Sequence, residues 1–72
     1  MDQKSIKIKK DEDFITLGVL LKITGVISTG GQAKYFLMEN DVLVNDEPDN
    51  RRGRKLYRGD KVKVLNSVFL IE

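Results

Sequence analysis

The densest group of basic side chains lies within residues 51–63, which we call the basic segment. Seven of its thirteen residues are Lys or Arg and only Asp60 is acidic, so the segment carries +6 in a chain of net charge +2. Like charges at this density repel one another unless an anion lies opposite, and a nucleic-acid backbone tolerates such irregular spacing. The segment therefore predicts a surface that binds RNA phosphates. The candidate phosphate-binding residues are Arg51, Arg52, Arg54, Lys55 and Arg58.

The acidic residues are segregated from the basic ones along the chain. Residues 39–49, which we call the acidic segment, contain five carboxylates and neither Lys nor Arg. A molecule with an acidic and a basic side would be oriented as well as attracted by a polyanion. A basic run is also typical of a solvated loop, and the carboxylates could serve solubility alone. A second hypothesis is an adaptor that docks on a protein partner through the acidic segment, in a ribosomal or replication-associated assembly.

The inventory of reactive side chains argues against catalysis. The chain has neither Cys nor His, which excludes thiol nucleophiles, disulfides, the usual zinc clusters and imidazole acid–base chemistry. Asp11, Glu12 and Asp13 are adjacent, and three neighbouring carboxylates on a loop more often form a solvated turn than converge on one metal ion. We therefore expect a non-enzymatic protein without a cofactor or a metal.

Length and hydropathy limit the class of protein further. Residues 1–72 are expected to form one domain, because a chain of 72 residues supports a single modest core. The longest apolar runs are residues 17–21 and 68–71, far short of the roughly 20 residues of a membrane span. The polar start at residues 1–4 lacks the layout of an export signal. We expect a cytoplasmic monomer.

The first third of the chain predicts a strand and a helix. Residues 5–9 alternate between apolar and polar, which places Ile6 and Ile8 on one face of a short strand. The apolar residues that follow stand three and four apart, the spacing of a buried helical stripe. Thr16 is the predicted cap of this helix and Gly25 its stop.

The second predicted helix has a better marked start. Thr29 and Gln32 stand three apart, as in a capping box, and Ser28 is a rival cap. The helix is expected to end near Asn40 and to turn Lys34 towards solvent. Its predicted buried face consists of Ala33, Phe36 and Leu37.

Gly30 and Gly31 fall in the predicted first turn of this second helix. Glycine there costs helix stability but leaves backbone N–H groups uncovered, and an exposed amino-terminal turn can bind phosphate. The alternative is that the two glycines allow the helix to pack closely against a loop. The sequence alone leaves both interpretations open.

The second half of the chain predicts strands and tight turns. Lys61 and Lys63 should lie on the outer face of a strand at residues 61–65. The apolar run at residues 68–71 should be buried on both sides or paired with the first strand. A further strand is predicted at residues 42–44, with turns at residues 45–46, 59–60 and 66–67 and loops at residues 48–50 and 51–58. The predicted fold is α+β, with two helices packed on a small, mostly antiparallel sheet.

Aromatic side chains suited to stacking on bases are few in this sequence. Phe14, Phe36 and Phe69 are expected in the core. Tyr35 and Tyr57 are expected to be partly buried, with hydrogen-bonded hydroxyl groups. We therefore expect recognition of the shape of a folded RNA rather than of a single-stranded sequence.

A series of motifs comprises residues 16–22, Gly25, Ser28, residues 33–34, 41–46 and 56–62. Their order along residues 14–66 resembles that of the alpha-L RNA-binding domain, which is named after ribosomal small-subunit protein four. The short length and residues 28–34 and 51–56 resemble the small bacterial YaaA and YbcJ type. Enzymes of the family carry their catalytic domain elsewhere in a longer chain, so the resemblance implies a non-catalytic module.

The resemblance also implies which residues meet the RNA. In the family, the start of the second helix and the helical face after it contact RNA. Thr29 departs from the family pattern, in which Arg usually follows the Ser, so N–H groups of Gly30 and Gly31 are expected to replace a missing phosphate contact. The implied partner is structured ribosomal or transfer RNA, with association with the ribosome. The implied RNA-binding residues are Ser28, Thr29, Gly30, Gly31, Gln32 and Lys34.

Overall fold

The computed structural model describes residues 2–72, so Met1 of the predicted domain lies outside the described residues. Two helices and seven strands form within residues 2–72. Neither helix is long or apolar enough to cross a membrane. The elements are β1 (Asp2–Ile6), β2 (Phe14–Thr16), α1 (Leu17–Ile23), α2 (Gln32–Glu39), β3 (Val42–Val44), β4 (Glu47–Pro48), β5 (Lys55–Tyr57), β6 (Lys61–Val64) and β7 (Ser67–Ile71).

The strands form a five-stranded sheet and a separate two-stranded ribbon. The sheet has the order β1-β7-β6-β3-β4, and the ribbon pairs β2 with β5. Only the pairing of β1 with β7 is parallel, and every other neighbouring pair is antiparallel. The predicted α+β fold with a mostly antiparallel sheet is confirmed. The last strand does pair with the first.

The core lies between the helices and the inner face of the sheet. Along β6, Val62 and Val64 are buried, whereas Lys61 and Lys63 project from the other face as predicted. The alternation follows from the period of two in a strand. The buried cluster consists of Ile8, Leu17, Leu20, Leu21, Ile27, Ala33, Leu37, Val42, Val44, Leu56, Val62, Val64, Phe69 and Ile71.

Both predicted ends of α1 are confirmed. The Thr16 hydroxyl accepts a hydrogen bond of 3.3 Å from the N–H of Val19. After the helix, Gly25 takes a positive φ of 81°, which glycine adopts without a steric penalty. The N–H of Val26 then donates to the carbonyl of Leu21 over 3.1 Å, and the N–H of Gly25 donates to the carbonyl of Lys22 over 3.1 Å. These are the two hydrogen bonds of a Schellman motif. These caps fix both ends of a helix of only seven residues.

The start predicted for α2, with Thr29 as the cap, is wrong by two residues. The helix begins at Gln32, and its N-cap, Gly31, makes no side-chain cap hydrogen bond. Only half of the capping box forms, because the Gln32 side-chain carbonyl accepts from the N–H groups of Ser28 at 2.6 Å and Thr29 at 3.2 Å. Two successive glycines resist helix formation, so they precede the helix instead of opening it. The predicted end near Asn40 is confirmed.

The first strand was predicted at residues 5–9 but is Asp2–Ile6, because its pairing with β7 sets its limits. The pairing of β1 with β7 finishes with Ile6 opposite Ile71. Ile8 is buried as expected but lies beyond the strand, where its N–H donates to the carbonyl of Glu72 over 2.7 Å. An alternating pattern therefore identified the buried residue but not the limit of the strand.

The turn predicted at residues 45–46 is confirmed, and the one predicted at residues 59–60 is displaced by one residue, to Arg58 and Gly59. Asn45 and Asp46 have φ values of 52° and 70° between β3 and β4, which fits a two-residue hairpin with both central residues in the left-handed region. Gly59 has a φ of 98°, and the Asp60 carboxylate accepts from the N–H of Tyr57 over 2.8 Å. Asn, Asp and Gly tolerate these backbone angles, which explains why the residue types predicted the turns.

The third predicted turn is displaced by one residue. Val64 pairs with Ser67, so the turn between β6 and β7 consists of Leu65 and Asn66. Leu65 has a φ of 54°, which leucine adopts only at a steric cost. The register of β6 on β7 decides this turn, and no local preference of leucine could have revealed it.

Candidate nucleic-acid interface

The backbone of the basic segment is fastened to the amino end of α1. The carbonyl of Arg54 accepts a 2.8 Å hydrogen bond from the N–H of Leu17, and the carbonyl of Arg52 accepts one of 2.8 Å from Gly18. These N–H groups have no acceptor within the helix. The two hydrogen bonds therefore satisfy the amino end of α1 and hold the loop cations beside it.

Gly18 makes this close approach possible. A Cβ atom at Gly18 would lie 3.2 Å from the carbonyl oxygen of Arg52, closer than most side chains tolerate. The sequence contained a signal for this contact, since a glycine in the first turn of a helix costs stability and needs a packing reason.

An open groove of about 390 Å³ brings two predicted regions together. Gly30, before α2, and Arg52, in the basic segment, both line it. Lys22 of α1 lines the same groove and supplies a cation that the sequence did not predict as a site residue. The lining residues are Thr16, Gly18, Val19, Lys22, Gly30, Ala33, Arg52 and Gly53.

The packing interpretation of Gly30 and Gly31 is wrong. A Cβ atom at Gly30 would meet nothing within 4 Å, and one at Gly31 would meet only the Thr29 hydroxyl at 4.0 Å. Within residues 2–72, the N–H groups of Gly30 and Gly31 make no hydrogen bond. By contrast, the Gln32 side chain already occupies the N–H groups of Ser28 and Thr29. Lys34 is exposed, as predicted.

A second hollow, of about 470 Å³, lies on another side of the basic segment. Its cations include Arg51 and Arg54, which are both paired with Asp49. Arg51 donates to the two carboxylate oxygens over 3.1 Å and 2.9 Å, and Arg54 donates over 3.3 Å. The Asp49 side chain is only 9% exposed. The residues that line the hollow are Arg51, Gly53, Arg54, Lys55 and Tyr57.

This pairing changes the titration of the groups involved. The hydrogen bond from the Arg51 side chain is the main cause that lowers the pKa of Asp49 below its usual value, and burial opposes it. The same hydrogen bond raises the pKa of Arg51. Asp49 thus belongs to the basic segment in space, although it stands in the acidic segment of the sequence.

The remaining basic candidates differ in what holds them. Arg58 donates from one nitrogen to the carbonyls of Lys9 and Ile8, over 3.0 Å and 3.4 Å, and so ties the first part of the chain to the turn after β5. Lys55 lies on β5 and not in a loop as predicted, and its Nζ stands 4.9 Å from the centre of the Phe14 ring. Within residues 2–72, Arg52 forms no ion pair.

Three aromatic residues are not placed as predicted. Phe14 is half-buried on the β2/β5 ribbon and does not belong to the buried cluster. Tyr35 and Tyr57 are 65% and 48% exposed, more than a partly buried ring would be. The β2/β5 pairing turns Phe14 and Tyr57 to the same side, a consequence of a long-range register that no local pattern reports. Phe36 does pack against the core, and Phe69 is buried, as predicted.

No metal centre forms in the part of the chain that the structure describes. Within residues 2–72, no group of three or more Asp, Glu, His or Cys side chains could hold an ion. Asp11, Glu12 and Asp13 are exposed, and the N–H of Glu12 donates to the carbonyl of Lys9 in a turn.

Comparison with known proteins identifies a relative of this chain and the family to which it belongs. The chain is 63% identical over 57 residues to a protein of Bacillus subtilis (strain 168) described as "Probable ribosome maturation protein RlbA", and the match covers 79% of this chain and 80% of that protein. The model of the S4 domain family matches residues 6–72, nearly the whole chain. The resemblance seen in the sequence is thereby confirmed, and the chain belongs to the S4 domain family, a family of RNA-binding domains.

Proposed function

We propose that this protein binds the phosphate backbone of structured RNA, with ribosomal RNA as its target and transfer RNA as the other candidate, and takes part in ribosome maturation without catalysing a reaction. The groove between the start of α1, the approach to α2 and the basic segment carries the proposal. Lys22 and Arg52 line it together with Gly30, whose N–H group makes no hydrogen bond within residues 2–72. The similarity to a probable ribosome maturation protein supports the choice of ribosomal RNA. The site of action would be the cytoplasm, where ribosomes mature.

The proposed contacts fall into two groups. Arg52, Lys22 and Lys55 would pair with phosphates, and the N–H groups of Gly30 and Gly31 would donate to another. Contacts of this kind fix position and orientation on the RNA but read no sequence. The rim of this surface would consist of Ser28, Thr29, Gln32 and Lys34. Further cations, some of whose N–H donors already bind other groups of the protein, would be Arg51, Arg54 and Arg58.

Titration against a structured RNA over a range of salt concentrations tests this function. Each phosphate contact releases counterions, so the logarithm of the affinity should fall steeply with the logarithm of the salt concentration. The double variant Arg52→Ala/Lys55→Ala should lower the magnitude of that slope by about two. The control, Lys61→Ala/Lys63→Ala, removes equal charge from the outer face of β6 and should change the slope less. An absence of binding at low salt would refute the proposal.

We propose protein docking through the acidic segment as a second candidate function. Two adjoining hollows share Asp41 and Pro48, and they are also lined by Met38 and Leu65, which are 71% and 55% exposed. Exposed apolar side chains beside the Asp41 carboxylate suit a partner with apolar and basic residues. Pull-down from a nuclease-treated lysate should recover one defined partner with wild-type protein and lose it with Met38→Ser/Leu65→Ser. Retention by that variant, or loss of the partner after nuclease treatment, would contradict the proposal.

A further inference from the structure

The β2/β5 ribbon presents two aromatic rings on its outer face. Phe14 stands opposite Tyr57 in this antiparallel pair, and Ile15 stands opposite Leu56. Because Leu56 is fully buried and side chains alternate across a strand, Phe14 and Tyr57 point away from the core. Tyr57 is 48% exposed, although an aromatic ring gains most from burial.

The two rings differ in what already covers them. Their centres lie 5.9 Å apart with an angle of 52° between the planes, the tilted arrangement that aromatic pairs favour. The ammonium group of Lys55 stands over the face of Phe14, at 4.9 Å from its centre. Phe14 therefore supports Tyr57 from the side and holds Lys55 beside it, while Tyr57 lines the open hollow.

Tyr57 shares this hollow with cations that have donors to spare. Arg51, Arg54 and Lys55 line it as well. An arginine has five N–H donors, and Asp49 takes two from the Arg51 side chain and one from Arg54. An aromatic face next to cationic donors matches the two parts of one nucleotide, its base and its phosphate. A base within a duplex has both faces covered by stacking, so only an unpaired base can use the tyrosine.

We infer that Tyr57 stacks on an unpaired base of the bound RNA while Lys55, Arg51 and Arg54 hold the adjoining phosphate. This inference rests on the proposed RNA-binding function and adds a property of the target, namely an unpaired nucleotide in a bulge or loop next to a paired stem. The sequence predicted recognition of RNA shape alone, with Tyr57 partly buried. The inference differs because the ribbon exposes the Tyr57 ring.

Two hairpin RNAs with the same number of base pairs test the inference, one with a fully paired stem and one with a single-nucleotide bulge. Both are closed by the same non-nucleotide linker, so neither has an unpaired loop base. The full chain should bind the bulged hairpin about tenfold tighter or more at one fixed low salt concentration. Tyr57→Leu should remove that preference and leave the affinity for the paired hairpin unchanged. Tyr57→Phe keeps the aromatic face and should retain the preference. Thermal unfolding of both variants establishes that the fold is intact.

Tyrosine fluorescence gives a second measurement that needs no change at Tyr57. The chain has two Tyr and no Trp, so Tyr35→Phe leaves Tyr57 as the only fluorescent residue of this kind. A stacked base should quench its emission with the bulged hairpin and not with the paired one. Equal affinity for the two hairpins without quenching would overturn the stacking inference and leave the proposed function standing. A failure to bind either hairpin at low salt would instead refute the proposed function.

Discussion

Arg52 and Arg58 carry the same charge in the same basic segment, yet the fold uses them differently. Arg52 is exposed beside the groove, forms no ion pair within residues 2–72, and is held in place only through its backbone carbonyl. Arg58 donates from one guanidinium nitrogen to the carbonyls of Ile8 and Lys9, so its side chain is held against the first part of the chain while its charge is kept. Arg51 and Arg54 are paired with the Asp49 carboxylate, which offsets part of their charge. Formal charge on a sequence therefore does not show how freely each cation can meet a ligand.

The largest expected effect on stability and RNA binding comes from displacing Arg52 from the groove. Gly18→Val should lower the free energy of unfolding by about 2 kcal/mol, because the valine side chain would press against the carbonyl of Arg52. The displaced loop should also weaken RNA binding. Urea unfolding and RNA titration measure the two effects.

The control for this prediction is a glycine on the same groove with space around it. Gly30→Ala adds a Cβ atom that meets nothing within 4 Å, so stability should stay equal or rise slightly. Equal destabilisation by the two variants would show that the close approach at Gly18 does not hold the loop.

The second prediction separates Arg52 from Arg58 directly. Arg58→Ala should lower the free energy of unfolding by about 1 kcal/mol, since two backbone carbonyls lose their donor. Arg52→Ala should leave stability within about 0.5 kcal/mol but reduce the magnitude of the salt slope of RNA binding by about one. Chemical unfolding and salt titration of both variants check this. Arg52→Ala destabilising the fold more than Arg58→Ala would reverse the comparison.

The smallest effect concerns the cations held by Asp49 and depends on pH. The folded state lowers the pKa of Asp49, so its contribution to stability is present above about pH 4 and is lost as the pH falls through the lowered value. Between pH 5 and pH 2, the urea midpoint of the wild type should therefore fall more than that of Asp49→Asn. The other carboxylates titrate in both proteins, so the difference isolates Asp49. Parallel curves would show that the pairing contributes nothing to stability.

Local chemistry predicted the elements whose ends depend on a single residue type. Thr16 caps α1, Gly25 ends it, and Asn45 with Asp46 forms a hairpin turn, because each of these residues offers a side-chain oxygen or a backbone freedom that neighbours cannot replace. Local patterns failed where strand pairing decides. Leu65 occupies a turn against its own preference because the register of β6 on β7 leaves no other position.

The candidate site divides in the same way. The basic segment and the glycines before α2 were apparent from residue types, because charge density and missing side chains are local properties. Lys22 was missed because nothing in its neighbourhood marks it, and it joins the groove only when α1 meets the basic segment. The pairing of Asp49 with Arg51 was also missed, since the sequence grouped that carboxylate with the acidic segment.

The sequence by itself determined the family, the α+β class, the caps of α1 and the presence of a concentrated positive charge. These depend on residue types, their order and their spacing, which need no tertiary contact to be read. Only the tertiary structure decided which cations stay available, that Gly18 admits the backbone of Arg52, and that Phe14 and Tyr57 share an exposed face. Such properties arise where residues distant in sequence meet, and the geometry of that meeting determines how each side chain is used.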